Sequence, residues 1–227
     1  MIRTGRQRTA HQLSERRQEL ARQWEDLLTQ IHALPRFKHF LLPPPIDRLR
    51  RHAAEGPIVL VNVSEFRCDA LILSDDVERP VRLVKLPGLT RGSVIGHVNR
   101  FYAAVTRAGS GVLRQRLEGQ REVHATLGWL WDEIAEPVLN ELQLHDTPAD
   151  HRDWPRVWWC PIAEMAFLPL HAAGHHDIGP HTPRPTTSRT VLDRVVSSYT
   201  PTVRALGYAR DLDSLTRPHP TVRPPPP

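Results

Sequence analysis

Near the start of the chain apolar residues recur at Leu13, Leu20, Trp24, Leu27, Leu28, Ile31 and Leu34, with Arg, Gln and Glu between them. Steps of three, four and seven predict one amphipathic helix over about 9–34, ended by Pro35. No helix satisfies such a stripe by itself, so this one is expected to dock on the rest of the chain or on something else. Leu-Leu-Pro-Pro-Pro-Ile at 41–46 reads as a stiff spacer. Asp47 is then expected to cap a short helix through Ala54, ahead of a turn at Gly56-Pro57.

The periodicity changes at 58–64, IVLVNVS, a near-continuous β-branched run that predicts a strand buried on both faces. ALILSDD (70–76) and VRLVKL (81–86) predict two more strands. Helical spacing returns from Val94 to Ala108, and again from about Arg114 to Leu144. RVWWCP (156–161) predicts a strand stopped by proline, and MAFLPLHAA (165–173) is a further short apolar segment. A loop rich in His, Pro and Thr runs to about Arg189. VLDRVVSSYTP (191–201) predicts the last strand, with Thr200 capping a helix that begins at Pro201. Residues 211–227 end in a polyproline run and are expected to be a disordered tail. Buried strands alternating with helices define an α/β layered domain over 35–210, with 1–34 as a helical preface.

A length of 227 residues with 40% hydrophobic positions suits one domain and a proper core. No apolar run approaches the roughly 18 residues that cross a bilayer, so no membrane partner is expected. The basic N-terminus MIRTGRQRTAHQLSERRQ lacks an apolar segment and a small-residue cleavage site, so the expected location is the cytoplasm. Cys68 and Cys160, in unrelated apolar contexts, read as reduced thiols. The net charge of +5 invites a nucleic-acid reading. However, Lys38 and Lys85 are the only lysines among 30 basic residues, and there are 22 prolines. That pairing is the codon signature of a GC-rich genome. The arginines are interspersed with acids rather than gathered in a stripe, so nucleic acid is not the expected partner.

Three ordered segments, GPIVLVNVSEFRCDALIL, VWWCPIAEMAFLPLHAAG and VVSSYTPTVRAL, resemble the CHAT domain (caspase HetF associated with TPRs). The likeness is to the version at the ends of long tetratricopeptide-type proteins of actinomycetes and fungi. It implies a caspase-like layered fold, with a mainly parallel sheet flanked by helices, and thiol-dependent peptide hydrolysis as the parent activity. The family's histidine precedes a glycine, and its cysteine stands in a Ser-Ala-Cys-like context. Both lie C-terminal to the segment that VVSSYTPTVRAL resembles. Here GYARDLDSLTRPHPTVRPPPP occupies that place, and the chain contains neither His-Gly nor Ser-Ala-Cys. The resemblance therefore implies the N-terminal half of the domain, incomplete on its C-terminal side. No catalytic residue is assigned, no cofactor is expected, and the chain is expected to be inactive by itself. A helical-repeat region or the other half of the domain is an expected partner, and the first helix would be the remnant that joined the repeats.

Other chemistry competes with this reading. Asn62, Ser64, Arg67 and Asp69 follow the first buried strand, where ligands gather in open α/β folds, so Arg67 is a candidate for a peptide carboxylate. This would make the chain a non-catalytic module that binds a peptide or protein. The bland alternative is that these side chains bond their own turn. His171, His175, His176 and His181, with Asp177, supply enough donors for a zinc site, which gives a third reading. Gly174 interrupts the helix that would align His171 with His175, and the spacing matches no zinc signature. Cys160, between tryptophans and Pro161, is expected to be packing with a raised thiol pKa. Trp129 and Trp131 cannot share one helical face, so one is expected inside and the other over a neighbour. Ser197 and Ser198 lack a glycine elbow and are assigned no chemistry.

Overall fold

A computed structural model describes residues 3–38, 40–109, 111–150, 154–176 and 189–216. The chain divides into two compact units, Met1–Pro45 and Ile46–Pro227. In the first, helix α1 (Arg3–His32) is followed by a 3-10 turn at Pro35–Phe37. The rings of Phe37 and Phe40 meet edge to face at 6.2 Å, and His32 Nε2 lies 2.7 Å from the Phe40 carbonyl.

The second unit opens with α2 (Ile46–Arg50), which tightens into a 3-10 turn at Arg51–Ala53. Asp47 lies inside the first helical turn and accepts from Arg50 Nε at 3.2 Å. It is therefore a helical residue rather than the cap the sequence suggested. Gly56 has φ of +133°, and a Cβ there would stand 2.2 Å from the Arg156 carbonyl oxygen, so the turn into the sheet requires glycine.

Strands β1 (Ile58–Asn62), β2 (Asp69–Leu73) and β3 (Val81–Lys85) come next. Helices α3 (Arg91–Gly109) and α4 (Leu113–Leu130) follow, then a π-helical turn at Trp131–Ala135 and α5 (Glu136–Glu141). Strand β4 (Arg156–Pro161), two 3-10 turns, β5 (Val196–Tyr199) and α6 (Val203–Thr216) complete the unit. The sheet order is β3-β2-β1-β4-β5. β4 runs parallel to β1 and to β5, whereas β2 is antiparallel to both β1 and β3.

The sheet is thus mixed, not mainly parallel. The connections 63–68 and 74–80 are hairpin-sized, and a parallel crossover needs a dozen residues or more. The last strand is also shorter than the apolar run implied. Thr190 Oγ1 binds both the Asp193 carboxylate and its amide, which winds 191–194 into a turn ahead of β5. Cap placement shifts too: Thr202 Oγ1 accepts from Ala205 N at 3.0 Å, while Thr200 only braces it by donating to the Thr202 carbonyl. Helix α6 continues to Thr216, beyond the start expected for the tail; 217–227 lie outside the described residues.

Alternation sorts the strands onto two faces. Val59, Val61, Ala70, Ile72, Val157 and Trp159 face the larger core with Leu130, Trp131, Ile134 and Leu139 from the helical region after β3. Ile58, Leu73 and Cys160 face the opposite way, against Ala53, Val203 and Leu206. Helices therefore cover both faces. At the α3–α4 crossing, a Cβ on Gly119 would lie 2.6 Å from the Ala108 amide nitrogen, so the close approach depends on glycine. Trp131 is fully buried under the Arg194 guanidinium, 4.6 Å from its ring, and Trp129 instead stacks on His97 at 3.7 Å. The two indoles divide as their spacing demanded.

Candidate functional site

At the ends of β1 and β3 lies a cleft of about 640 Å³. One wall is the β1–β2 turn, Ser64 to Asp69. The other is Lys85–Pro87 with Leu89–Gly92, which carries the chain into α3. The turn is self-bonded: Ser64 Oγ donates to the Arg67 carbonyl at 2.8 Å and accepts from the amides of Phe66 and Arg67 at 3.3 and 3.2 Å. Ser64 is therefore occupied by its own backbone, as its bland reading required. Arg67 is not. Its Nε donates to Asp69 Oδ2 at 2.6 Å, and the remainder of the guanidinium makes no further hydrogen bond among the described residues. The Arg67 side chain is 65% exposed and that of Asp69 only 6%.

The turn holds Phe66 outward, 96% exposed. Across the cleft, Thr90 and Ser93 cap α3 reciprocally, each hydroxyl accepting from the other's amide at 3.1 Å. Arg91 ties the two walls together, reaching Glu65 at 2.9 Å and Glu164 at 2.7 Å. The hydrogen bond from Arg91 holds the Glu164 carboxyl below its ordinary range and raises Arg91 in turn. The ion pairs leave the Lys85 ammonium and the outer Arg67 N–H groups as the cleft's uncommitted donors among the described residues.

Of the sequence candidates, Ser64, Arg67 and Asp69 line the cleft. Asn62 pairs with Asp69 across the β1–β2 ladder and lies outside the lining. Sequence reasoning missed Phe66, Lys85 and Arg91. The one local signal was Thr90-Arg91-Gly92-Ser93, whose two hydroxyls at N-cap spacing mark where α3 begins.

The histidines disperse to separate partners. His171 Nδ1 meets the Tyr199 hydroxyl at 3.0 Å, His176 Nε2 donates to the Ala172 carbonyl at 2.8 Å, and His175 Nε2 donates to Asp132 Oδ1 at 2.8 Å. Arg189 shares that Asp132 oxygen at 3.3 Å. Asp177 and His181 lie outside the described residues, among which no group of three donors is placed to hold a metal. The described histidines act as braces: His175 fastens the segment after β4 to the π-helical turn, and Gly174 bridges Thr190.

Both thiols are buried. Cys160 Sγ lies 3.5 Å from the Pro201 carbonyl, and burial pushes its thiol up. Cys68 Sγ lies 3.7 Å from the Ser64 carbonyl, behind the turn that presents Phe66. Ser197 Oγ accepts from Trp159 Nε1 at 3.1 Å and Ser198 Oγ from Arg156, so both are structural. Among the described residues no helix is long and apolar enough to cross a membrane. No family model, no curated protein and no solved structure matches the chain.

Proposed function

We propose that this chain is the N-terminal, non-catalytic part of a CHAT-type, caspase-like domain. In this reading it works by holding a peptide or protein partner in the cleft between the β1–β2 turn and α3. The observation that carries the reading is Phe66. A phenyl ring left 96% in water beside a cleft is an unused anchor, since burying one gains about 1.5–3 kcal/mol. Aromatic and arginine side chains dominate interface energetics, and here they are neighbours. Arg67 keeps N–H groups for a carboxylate, and Lys85 adds charge from the second wall. A partner segment pairing an apolar side chain with an acidic one fits both.

The scaffold half of the proposal rests on the thiols. A nucleophilic cysteine needs an electropositive, accessible setting, and neither Cys68 nor Cys160 has one. The likeness of the three ordered segments supplies the family, and the mixed α/β sheet is compatible with it.

Fluorescence polarisation against a library of short labelled peptides tests the reading. Peptides with an aromatic or aliphatic residue next to Asp, Glu or a free C-terminus should be enriched. Phe66→Ala and Arg67→Ala should each weaken the best binder about tenfold, equivalent to ~1.4 kcal/mol. No enrichment, or affinities indifferent to both changes, would remove the cleft from consideration. Peptide cleavage lost on replacing Cys68 or Cys160 would remove the scaffold reading.

A further inference from the structure

Leu13, Leu20, Leu27 and Leu34 recur at intervals of seven, and Trp24 and Ile31 each lie four residues after a leucine. In heptad terms Leu13, Leu20 and Leu27 take the d positions on α1 and Arg17, Trp24 and Ile31 the a positions, while Leu34 lies past the helix end in extended backbone. A period of 3.5 drifts slowly around a helix of 3.6 residues per turn, so these side chains form one nearly straight seam along α1. Leu13, Leu20, Trp24 and Leu27 are between 47% and 58% exposed. Glu15, Glu19, Arg22, Glu25 and Asp26 fall at b, c and f, on the outer side.

We infer that this seam is a self-association surface, through which two copies of the chain pair as an antiparallel coiled coil. The second copy is the favoured occupant because the seam is complementary to itself. Its apolar side chains on α1 would bury roughly 500 Å² on each helix, about 1,000 Å² for the pair, the size a specific interface has to clear. Arg17 sets the direction. A parallel, in-register pair would press two Arg17 guanidinium groups together at an a layer. An antiparallel pair sets a against d, so that Trp24 meets Leu27 of the second copy, Leu20 meets Ile31, and Arg17 falls opposite the point just past the end of α1 at His32. The guanidinium then sits beside the C-terminal end of the opposite helix, where the helix dipole favours a cation. Ala21 and Leu28 at the e positions widen the seam without adding charge.

Sedimentation equilibrium and light scattering on the full 227-residue chain provide the test. The expected mass is twice 25.9 kDa at tens of micromolar. Leu20→Glu and Leu27→Glu should return monomers whose near-ultraviolet spectrum, dominated by the other unit, is unchanged. Arg17→Glu should weaken the dimer about tenfold, because it would set a carboxylate against the same helix end. Oxidised Arg17→Cys should form no disulfide between copies, because antiparallel pairing holds the two positions far apart. A monomeric wild type overturns the inference, whether the seam docks within the chain or on an unlike protein. A dimer that survives both glutamates also overturns it, as does one that cross-links readily at position 17.

Discussion

Arg67 and Asp69 stand two positions apart where the β1–β2 turn enters the sheet, and their Nε–Oδ2 distance is 2.6 Å. The partners are unequal: the guanidinium is mostly in water and the carboxylate is almost wholly enclosed. Arg67→Ala would strand the buried oxygen, at a cost of about 1–3 kcal/mol. Asp69→Ala merely frees an exposed arginine to be solvated, so the loss should be smaller. In a double-mutant cycle followed by urea unfolding, the pair should therefore be less destabilised than the sum of the single changes. Strict additivity would show that the contact is energetically idle.

Stability should fall with acid through His97. The imidazole lies flat on Trp129, within 7° of parallel, and its Nδ1 is buried with no hydrogen-bond partner among the described residues. Burial, reinforced by Arg100, lowers its pKa from 6.5 to about 4. Between those values the unfolded chain binds a proton that the native chain refuses. The His97 contribution is thus complete above pH 6.5, is lost as the pH falls toward 4, and changes no further below that. His97→Phe keeps the stack and cannot titrate, so urea midpoints for that variant should decline less between about pH 7 and 4.5. Parallel declines in variant and wild type would contradict this.

Neither thiol should behave as a nucleophile. Cys160 is raised by burial, and both sulfurs are enclosed. Ellman's reagent at pH 8 should label the native chain at least a hundredfold more slowly than free cysteine, with both thiols appearing together in denaturant. Rapid single-site labelling of the folded protein would contradict the enclosure.

Capping of α6 separates two adjacent threonines. Thr202→Ala removes the acceptor for the Ala205 amide and should cost about 1 kcal/mol. Thr202→Ser keeps it and should be nearly neutral. If serine fails to rescue, the methyl group matters and the capping assignment is wrong.

Core packing offers a further check on the strand faces. Ile72 is fully buried and Leu71, its neighbour, is 37% exposed. Ile72→Ala should cost about 2–5 kcal/mol, whereas Leu71→Ala should cost much less. Similar losses at the two positions would mean that β2 presents its faces differently.

Much of the scaffold was legible from local pattern. IVLVN announced a two-faced strand because every one of its residues is apolar or sits at the strand end, and Trp129 and Trp131 had to part because two steps of a helix turn about 200°. Part of the site was legible for the same reason: Ser64, Arg67 and Asp69 interact within five positions of one another. The expectation of a mainly parallel sheet came from resemblance rather than from the chain itself. The short connections 63–68 and 74–80 already required hairpins.

The sequence by itself determined where most strands and helices form and that both thiols sit in apolar contexts. These follow from periodicity and turn chemistry, which act over a few residues. Tertiary structure alone decided that Lys85 and Arg91 face Arg67 across a cleft, that His175 spends its imidazole on Asp132, and that Phe66 stands in water. Those outcomes depend on how distant segments meet in three dimensions, and on a turn whose backbone bonds to Ser64 outweigh the pull of an aromatic ring toward the core.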